Sequence, residues 1–153
     1  MTGELLKWDT KYSVGVDEID AQHKELLDFV NDLINHSIEK QIGGNIYIKK
    51  IIDAIINHVT HHFSTEEKLL AKTSYTKLAE HKKEHEKIAA RVIDLRREMG
   101  NEKGDMALYS LTVTLREYFL IHIVQYDKEA CDFFKEGIGR SQGSADPRIP
   151  NRP

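Results

Sequence analysis

Seven side chains that can bind metal fall on the apolar faces of four predicted helices, where a helical bundle would ordinarily bury leucines. They are five histidines and two carboxylic acids: His23, His62, Glu66, His81, His85, His122 and Asp127. A buried charge without a partner costs several kcal/mol, so such groups pair with one another or bind metal. Their positions therefore predict a metal centre in the interior of the bundle.

The spacing of these residues places several of them on one side of a helix. His62 and Glu66 are four residues apart, as are His81 and His85, and an interval of four returns close to the same face of an α-helix. His122 and Asp127 are five apart, which on a regular α-helix separates them by about 140°. We therefore predict a π-helical or bent turn that brings Asp127 inward.

The number of donors predicts more than one ion. A tetrahedral site uses about four ligands, which would leave three buried polar groups without a role. Five imidazoles, two bridging carboxylates and one bridging solvent oxygen would fill about eleven of the twelve positions of two octahedra, leaving one position open. Mixed imidazole and carboxylate donors suit iron or manganese.

Alternative interpretations explain fewer of these residues. His81, Glu84 and His85 match the H-x-x-E-H pattern of one zinc-peptidase class, but this interpretation leaves Glu66 and Asp127 without a role. Any one histidine alone is more often a hydrogen-bonded core residue than a metal ligand. Seven donors in register favour the metal centre.

The composition excludes several classes of protein. The chain has 153 residues, a formal net charge of −3 and one cysteine, Cys131. This length suits one domain, and the charge gives no basic surface for nucleic acid. Cys131 is expected to be a small, buried residue in a reducing compartment, without an intrachain disulfide. No stretch reaches the roughly 18 apolar residues of a membrane span, and no signal peptide is evident, so we expect a cytoplasmic protein.

The glycines lie near the ends of periodic segments, and the prolines lie only in the last seven residues. Long stretches with helical periodicity therefore remain between these helix-breaking residues. The first predicted helix covers about residues 17–39, and the second follows Gly43 and Gly44, with Asn45 as N-cap. A third ends before Gly100, and a fourth has Asp105 as N-cap and ends at Gly137. The inner stripe of the fourth is predicted to include Leu108, Leu111, Leu115, Phe119, His122, Tyr126 and Phe133.

These helices predict an all-α fold, since strand signals are missing. Short connections favour an antiparallel, up-down-up-down four-helix bundle. Trp8 and Tyr12 are expected to anchor an extended N-terminal arm. Residues 1–137 would form the domain, and residues 138–153, rich in Gly, Ser, Arg and Pro, an irregular and flexible C-terminal tail.

Several spaced motifs in this order resemble the hemerythrin family, specifically the bacterial single-domain hemerythrins. The matching elements extend from Trp8 to Asp127: Trp8, Tyr12, Gly15-Val16-Asp17, Ile19-Asp20-Ala21-Gln22-His23-Lys24, His62-Phe63, Glu66-Glu67, His81, His85, His122-Ile123 and Asp127. The resemblance implies a non-haem diiron centre that binds dioxygen reversibly, with two iron ions bridged by an oxo or hydroxo group and two carboxylates.

The resemblance also implies the role of each donor. His81, His85 and His122 would hold one iron, His23 and His62 the other, and Glu66 and Asp127 would bridge them. The open position would lie on the iron with two histidines. Phe63, Phe119 and Ile123 flank the ligands and are candidate walls of a dioxygen pocket.

The chain departs from the family pattern at three places. Tyr118 stands where relatives often carry tryptophan, and His58 stands where many carry tyrosine. His58 is expected at the rim of the site or behind a ligand. The segment Thr73-Ser74-Tyr75-Thr76 replaces a Gly-Tyr-Pro-like turn, so the second helix is expected to end differently.

These observations favour a dioxygen carrier or store, not an enzyme. We expect no polar general acid or base beside the open position, which favours reversible binding over oxygen activation. The alternatives are a sensor of dioxygen, redox state or nitric oxide, and a diiron peroxidase-type enzyme. A monomer is expected, with dioxygen as its ligand and no indication of a delivery partner.

Overall fold

Helices make up most of the described chain. The computed structural model describes residues 5–39, 44–99 and 104–141. Its helices are α1 (Asp17–Glu39), α2 (Gly44–Leu70), α3 (Leu78–Glu98), α4 (Gly104–Glu117), a π-helix (Tyr118–Asp127) and α5 (Lys128–Ser141), after a short 3₁₀ turn at Thr10–Tyr12. No strand occurs within those residues, which confirms the all-α prediction.

The fourth helix of the bundle consists of three segments. Glu117 and Lys128, on either side of the π-helix, both have right-handed helical backbone angles, so α4, the π-helix and α5 run on without a break. Helix α1 packs on α2, α2 on α3, α3 on α4, and α4 on α1. The four helices therefore close into a bundle, as predicted. The up-down-up-down order and the extended form of the N-terminal arm stay predictions.

Apolar residues at intervals of three and four form the core. The side chains that are wholly inaccessible to solvent include Ile19, Leu26, Val30 and Leu33 of α1, Ile52 and Ile55 of α2, and Leu111 of α4. This periodicity turns one face of each helix inward, where each buried aliphatic side chain contributes about 1.5–3 kcal/mol. The polar centre is therefore surrounded by closely packed apolar side chains.

The predicted helix ends differ from the observed ones at three places. Helices α2 and α4 each begin one residue before the predicted caps, Asn45 and Asp105. The prediction that Gly137 ends the last helix is wrong, because α5 continues to Ser141. A glycine within a helix costs only about 1 kcal/mol and is not a stop by itself. Gly100 and residues 142–153 of the predicted tail lie outside the described residues, and the domain boundary at residue 137 stays a prediction.

The inner face of the last helix was predicted incorrectly at Tyr126, within the π-helix, and at Phe133, beyond it. Tyr126 and Phe133 are 43% and 40% exposed, whereas Asp127, Ala130 and Cys131 are buried. Each π-turn adds one residue relative to an α-turn, so the inward-facing positions move along the sequence. A constant α-helical period would place Tyr126 on the buried face of the helix. The extra residue in each π-turn moves it to the exposed face.

The residues before α1 fix the start of that helix. The Asp20 carboxylate accepts hydrogen bonds from the Ser13 hydroxyl at 2.6 Å and from the Val14 N–H at 2.7 Å. Gly15 has a φ of 73°, a left-handed conformation that glycine adopts without steric cost. Because His23 lies less than one turn after Asp20, these bonds help to set its position.

Among the described helices, none has the length and apolar content needed to cross a lipid bilayer.

Candidate metal centre

The seven predicted donors meet in the interior of the bundle. Their relative exposures lie between 0% and 5%. One comes from α1, two from α2, two from α3 and two from the π-helix: His23; His62 and Glu66; His81 and His85; His122 and Asp127. All four helices of the bundle therefore contribute to a single buried polar cluster.

The donors form two groups that share one residue. In the first, one ligand atom each of His81, His85, His122 and Asp127 lies within 4.8 Å of all the others. In the second, the same holds for His23, His62 and Asp127. Two adjacent groups with a shared carboxylate are the arrangement expected of a centre with two metal ions.

Asp127 turns a different oxygen toward each group. Its Oδ1 lies 2.8 Å from His122 Nε2 and 3.5 Å from His81 Nε2. Its Oδ2 lies 3.4 Å from His23 Nε2. A carboxylate that faces two sets of imidazoles in this way has the geometry of a bridging ligand.

Glu66 contacts the first group directly. Its Oε2 lies 3.2 Å from His81 Nε2 and 3.3 Å from His85 Nε2. Its Oε1 accepts a hydrogen bond from the thiol of Cys131, with the sulfur 3.7 Å away. Cys131 is buried, as predicted. Glu66 belongs to neither of the close groups, so its predicted bridging role stays a prediction.

The π-helix brings His122 and Asp127 to the same centre. At its end the N–H of Lys128 donates to the carbonyl of Ile123, five residues earlier, which is the hydrogen bond that defines this helix type. Asp127 is fully buried. The conformation predicted from the interval of five is confirmed, and a regular α-helix would have turned Asp127 toward solvent.

Unpartnered polar atoms show that these residues fit a bound cation. The buried atoms without a hydrogen bond include both ring nitrogens of His23, Nε2 of His85 and of His122, and Oδ1 of Asp127. Although His122 Nε2 and Asp127 Oδ1 are only 2.8 Å apart, they are not aligned as donor and acceptor. An unsatisfied buried polar atom costs about 1–3 kcal/mol, and a shared cation would remove that cost.

The separations between donors also suit metal binding. The imidazole-to-carboxylate distances of Asp127 range from 2.8 Å for His122 to 3.5 Å for His81. Neighbouring ligands at about 2.1 Å from one octahedral ion lie about 3 Å apart. The donor atoms therefore need only small shifts to surround an ion.

Two hydrogen bonds behind the donors orient their imidazole rings. Gln22 Oε1 lies 2.9 Å from His62 Nδ1, and Glu67 Oε1 lies 3.0 Å from His85 Nδ1. Because both acceptors are oxygens, the proton resides on Nδ1 and the lone pair of Nε2 faces the centre. The sequence did not predict that Gln22 and Glu67 orient these rings. Each residue nevertheless lies next to a predicted ligand, Gln22 beside His23 and Glu67 beside Glu66.

His58 lies behind the His62 ring. Its Nε2 donates to the backbone carbonyl of Gln22 at 2.8 Å, and its ring is parallel to that of His62 with centroids 6.5 Å apart. Its Nδ1 lies 3.4 Å from the exposed Glu25. His58 thus contacts the backbone of Gln22, whose side chain hydrogen-bonds to His62. The other edge of the His58 ring faces the edge of the site.

The hydroxyl of Tyr118 lies at the second donor group. It is 2.9 Å from His62 Nε2 and 3.4 Å from Asp127 Oδ2, and the residue is buried. The expectation that no polar general acid or base lies beside the open position stays a prediction, and this phenolic hydroxyl is the side chain that tests it. The sequence shows that Tyr118 lies one helical turn before His122. The position of its hydroxyl, however, depends on the geometry of the π-helix.

The candidate walls of the dioxygen pocket are all buried. The ring of Phe63 stacks on His85 with centroids 3.9 Å apart and lies 5.6 Å from the His62 ring. Phe119 makes edge contacts with Tyr12 and Tyr118. These contacts place aromatic surface against both donor groups. The assignment of Phe63, Phe119 and Ile123 as pocket walls stays a prediction.

At His62 and Asp127, electrostatics favour the protonation state that metal binding requires. Burial, with His23 nearby, lowers the pKa of His62 to about 3. Burial by itself would raise the pKa of Asp127, but His122 and His23 outweigh it and hold that pKa well below its ordinary value. At neutral pH the pair is therefore a neutral imidazole and an ionised carboxylate. Burial and the nearby carboxylates raise the pKa of Tyr118, so without metal it keeps its proton.

An all-α bundle with histidines and carboxylates gathered at its centre defines a cation-binding four-helix protein. The profile of the hemerythrin HHE cation binding domain matches residues 14–130. The chain belongs to the hemerythrin family, as the sequence motifs predicted.

Individual relatives agree with this assignment. The chain is 30% identical over 125 residues to a bacteriohemerythrin of Methylococcus capsulatus, which covers 81% of this chain and 92% of the relative. It is 29% identical over 138 residues to a bacteriohemerythrin of Stenotrophomonas maltophilia, covering 89% and 86%. A crystal structure of wild-type hemerythrin superposes with a TM-score of 0.75 at 29% identity, over 86% of this chain and 98% of that one.

Proposed function

We propose that this protein binds dioxygen reversibly at a non-haem diiron centre and acts as a dioxygen carrier or store. The observation that carries the proposal is the buried cluster of seven donors, several of whose polar atoms have no hydrogen-bond partner. The family assignment supports iron as the metal. When bound, the two irons would supply the two electrons that dioxygen takes up.

The proposal gives a role to the ligands, to the residues that orient them and to the apolar side chains around them. His81, His85 and His122 would hold one iron and His23 and His62 the other, with Asp127 and Glu66 between them. Gln22 and Glu67 would keep the imidazole lone pairs directed inward. The aromatic and aliphatic surround would exclude water, which discourages loss of reduced oxygen species.

One observation favours a second candidate, a peroxidase-type diiron enzyme. The Tyr118 hydroxyl lies 2.9 Å from His62 Nε2, where a phenol could deliver a proton to a reacting ligand. A sensor of dioxygen, redox state or nitric oxide stays an alternative drawn from the sequence. The expected cytoplasmic location and monomeric state stay predictions.

Cycling the purified protein between air and vacuum separates these functions. We expect two irons per chain and optical bands of oxo-to-iron and peroxide-to-iron charge transfer that appear in air and disappear under vacuum over repeated cycles. Consumption of added peroxide with rapid conversion to a ferric form would favour the enzyme. A chain that binds iron but shows no dioxygen-dependent band would contradict the carrier.

His62→Ala tests the donor set. The variant should lose iron or dioxygen binding and keep its helix content, since the apolar core of the bundle is unchanged. Metal analysis, the optical titration and circular dichroism measure the three properties. His61→Ala is the matched control, because that neighbouring histidine is exposed. Two irons and an unchanged dioxygen affinity in His62→Ala would refute the assignment.

A further inference from the structure

We propose that the phenolic oxygen of Tyr118 is an additional ligand of the metal ion held by His23, His62 and Asp127. The inference rests on the proposed diiron centre and goes beyond the donor set that the family resemblance implies. It gives the second ion an oxygen ligand from the π-helix, at the position otherwise left open.

The hydrogen bond between Tyr118 and His62 cannot persist when metal binds. The Tyr118 hydroxyl points at His62 Nε2, 2.9 Å away, with Asp127 Oδ2 at 3.4 Å. Because Gln22 holds the Nδ1 side of the His62 ring, Nε2 carries the lone pair that the metal would take. That lone pair cannot serve both a cation and the hydroxyl.

The hydroxyl is then left with one long and weak contact, to Asp127 Oδ2 at 3.4 Å. Tyr118 is 3% exposed, and a buried hydroxyl without a partner is costly. Both of its present partners are proposed ligands of the same ion. A cation bound by both of them would lie beside the phenolic oxygen, within reach of a direct bond.

The distances suit direct coordination. Ligands on adjacent positions of an octahedral ion lie about 3 Å apart. Tyr118 Oη meets this spacing with His62 Nε2 at 2.9 Å and comes close to it with Asp127 Oδ2 at 3.4 Å. The His23 Nε2 to Asp127 Oδ2 separation within the same group is also 3.4 Å.

Ring contacts hold the phenol in this place. The Tyr118 ring stacks on His122 with centroids 5.2 Å apart and an interplanar angle of 19°, and Phe119 and Phe63 pack at 5.8 and 5.9 Å. A ring confined on several sides loses little further entropy when its oxygen binds a cation.

The coordination step balances without any redox change. The phenol O–H bond breaks and its proton goes to a solvent hydroxide ion, which becomes water, while one metal–oxygen bond forms. No electron is transferred. On the proposed function, dioxygen would have to displace the phenolate, so its binding would be slower than at an open position.

The test is resonance Raman and optical spectroscopy of the diferric protein prepared without dioxygen cycling. We expect a phenolate-to-iron charge-transfer band with enhanced tyrosine ring modes in the wild-type chain, and its complete loss in Tyr118→Phe. Both chains should contain two irons. Ring-deuterated tyrosine should shift the enhanced modes of the wild-type chain, a result that requires no variant.

Tyr126→Phe is the matched control. Tyr126 stacks on His122 with centroids 5.3 Å apart, but it is exposed, so the band should be unchanged. Wild-type protein with two irons and no phenolate band would overturn this inference and leave dioxygen binding standing. A phenolate band that persists in Tyr118→Phe would also overturn it. A wild-type chain that holds no iron would instead overturn the proposed function, and this inference with it.

Discussion

At the scale of single residues, two hydrogen bonds orient the imidazole rings of the proposed ligands His62 and His85. Imidazole and carboxylate donors were predictable because their types are unusual on apolar stripes. The roles of Gln22 and Glu67 were not, since each depends on how two different helices face each other. The position of the Tyr118 hydroxyl was not predictable either, because it depends on the π-helix.

Gln22→Ala should weaken metal binding without unfolding the chain. The variant removes the acceptor 2.9 Å from His62 Nδ1, so the ring is free to rotate and to change tautomer. Loss of such a partner typically lowers metal affinity about 10–100-fold. Competition with a chelator measures the change. Gln125→Ala, at an exposed position of the last helix, should bind as the wild type does, and equal affinities in both variants would contradict this role for Gln22.

At the scale of elements, the π-helix explains both a success and a failure of sequence reasoning. The interval between His122 and Asp127 predicted an irregular turn, because a polar donor had to face inward. The same irregularity moved Tyr126 and Phe133 to the surface, which a constant period could not foresee. The π-helix extends over Tyr118–Asp127, a length that the single five-residue interval did not predict.

Gly15→Ala should destabilise the start of α1. At a φ of 73° a Cβ atom costs roughly 1–2 kcal/mol, and here it would also meet Lys135 Nζ at 2.9 Å. The lysine end is flexible and can move, so backbone strain should dominate. Chemical denaturation measures the loss. Gly15→Asn should cost less, because asparagine tolerates this conformation. An alanine variant as stable as the wild type would show that the turn can rearrange.

At the scale of the whole molecule, the bundle follows from helical periodicity and from the placement of glycines between helices. Those features predicted four helices and their apolar faces. They did not predict where the last helix ends, since Gly137 acts as a stop only where tertiary contacts do not continue the helix beyond it.

The metal-free protein should lose stability as the pH falls below 6.5. Burial lowers the pKa of His62 from 6.5 to about 3, so in this window the unfolded chain holds a proton that the folded chain does not. The free energy of unfolding should therefore fall with pH, by at most about 1.4 kcal/mol per unit from this group. Burial alone would lower the pKa of His85, but the nearby Glu66 carboxylate outweighs it and raises that pKa. The contribution of His85 therefore changes above pH 6.5, where the free energy of unfolding falls as the pH rises.

Denaturant titrations between pH 6.5 and 4 measure this dependence. His62→Gln should show a shallower slope than the wild type, whereas His61→Gln, at an exposed position, should keep the wild-type slope. Equal slopes in all three chains would mean that His62 titrates normally in the folded state.

The shared carboxylate makes the two halves of the centre interdependent. An ion among His81, His85 and His122 would fix the side-chain torsion of Asp127 through Oδ1, and thereby hold Oδ2 ready beside His23. The ordering entropy would then be lost only once, so filling one half would raise the affinity of the other. Loading would be cooperative, and chains with one ion would be rare beside chains with none or with two.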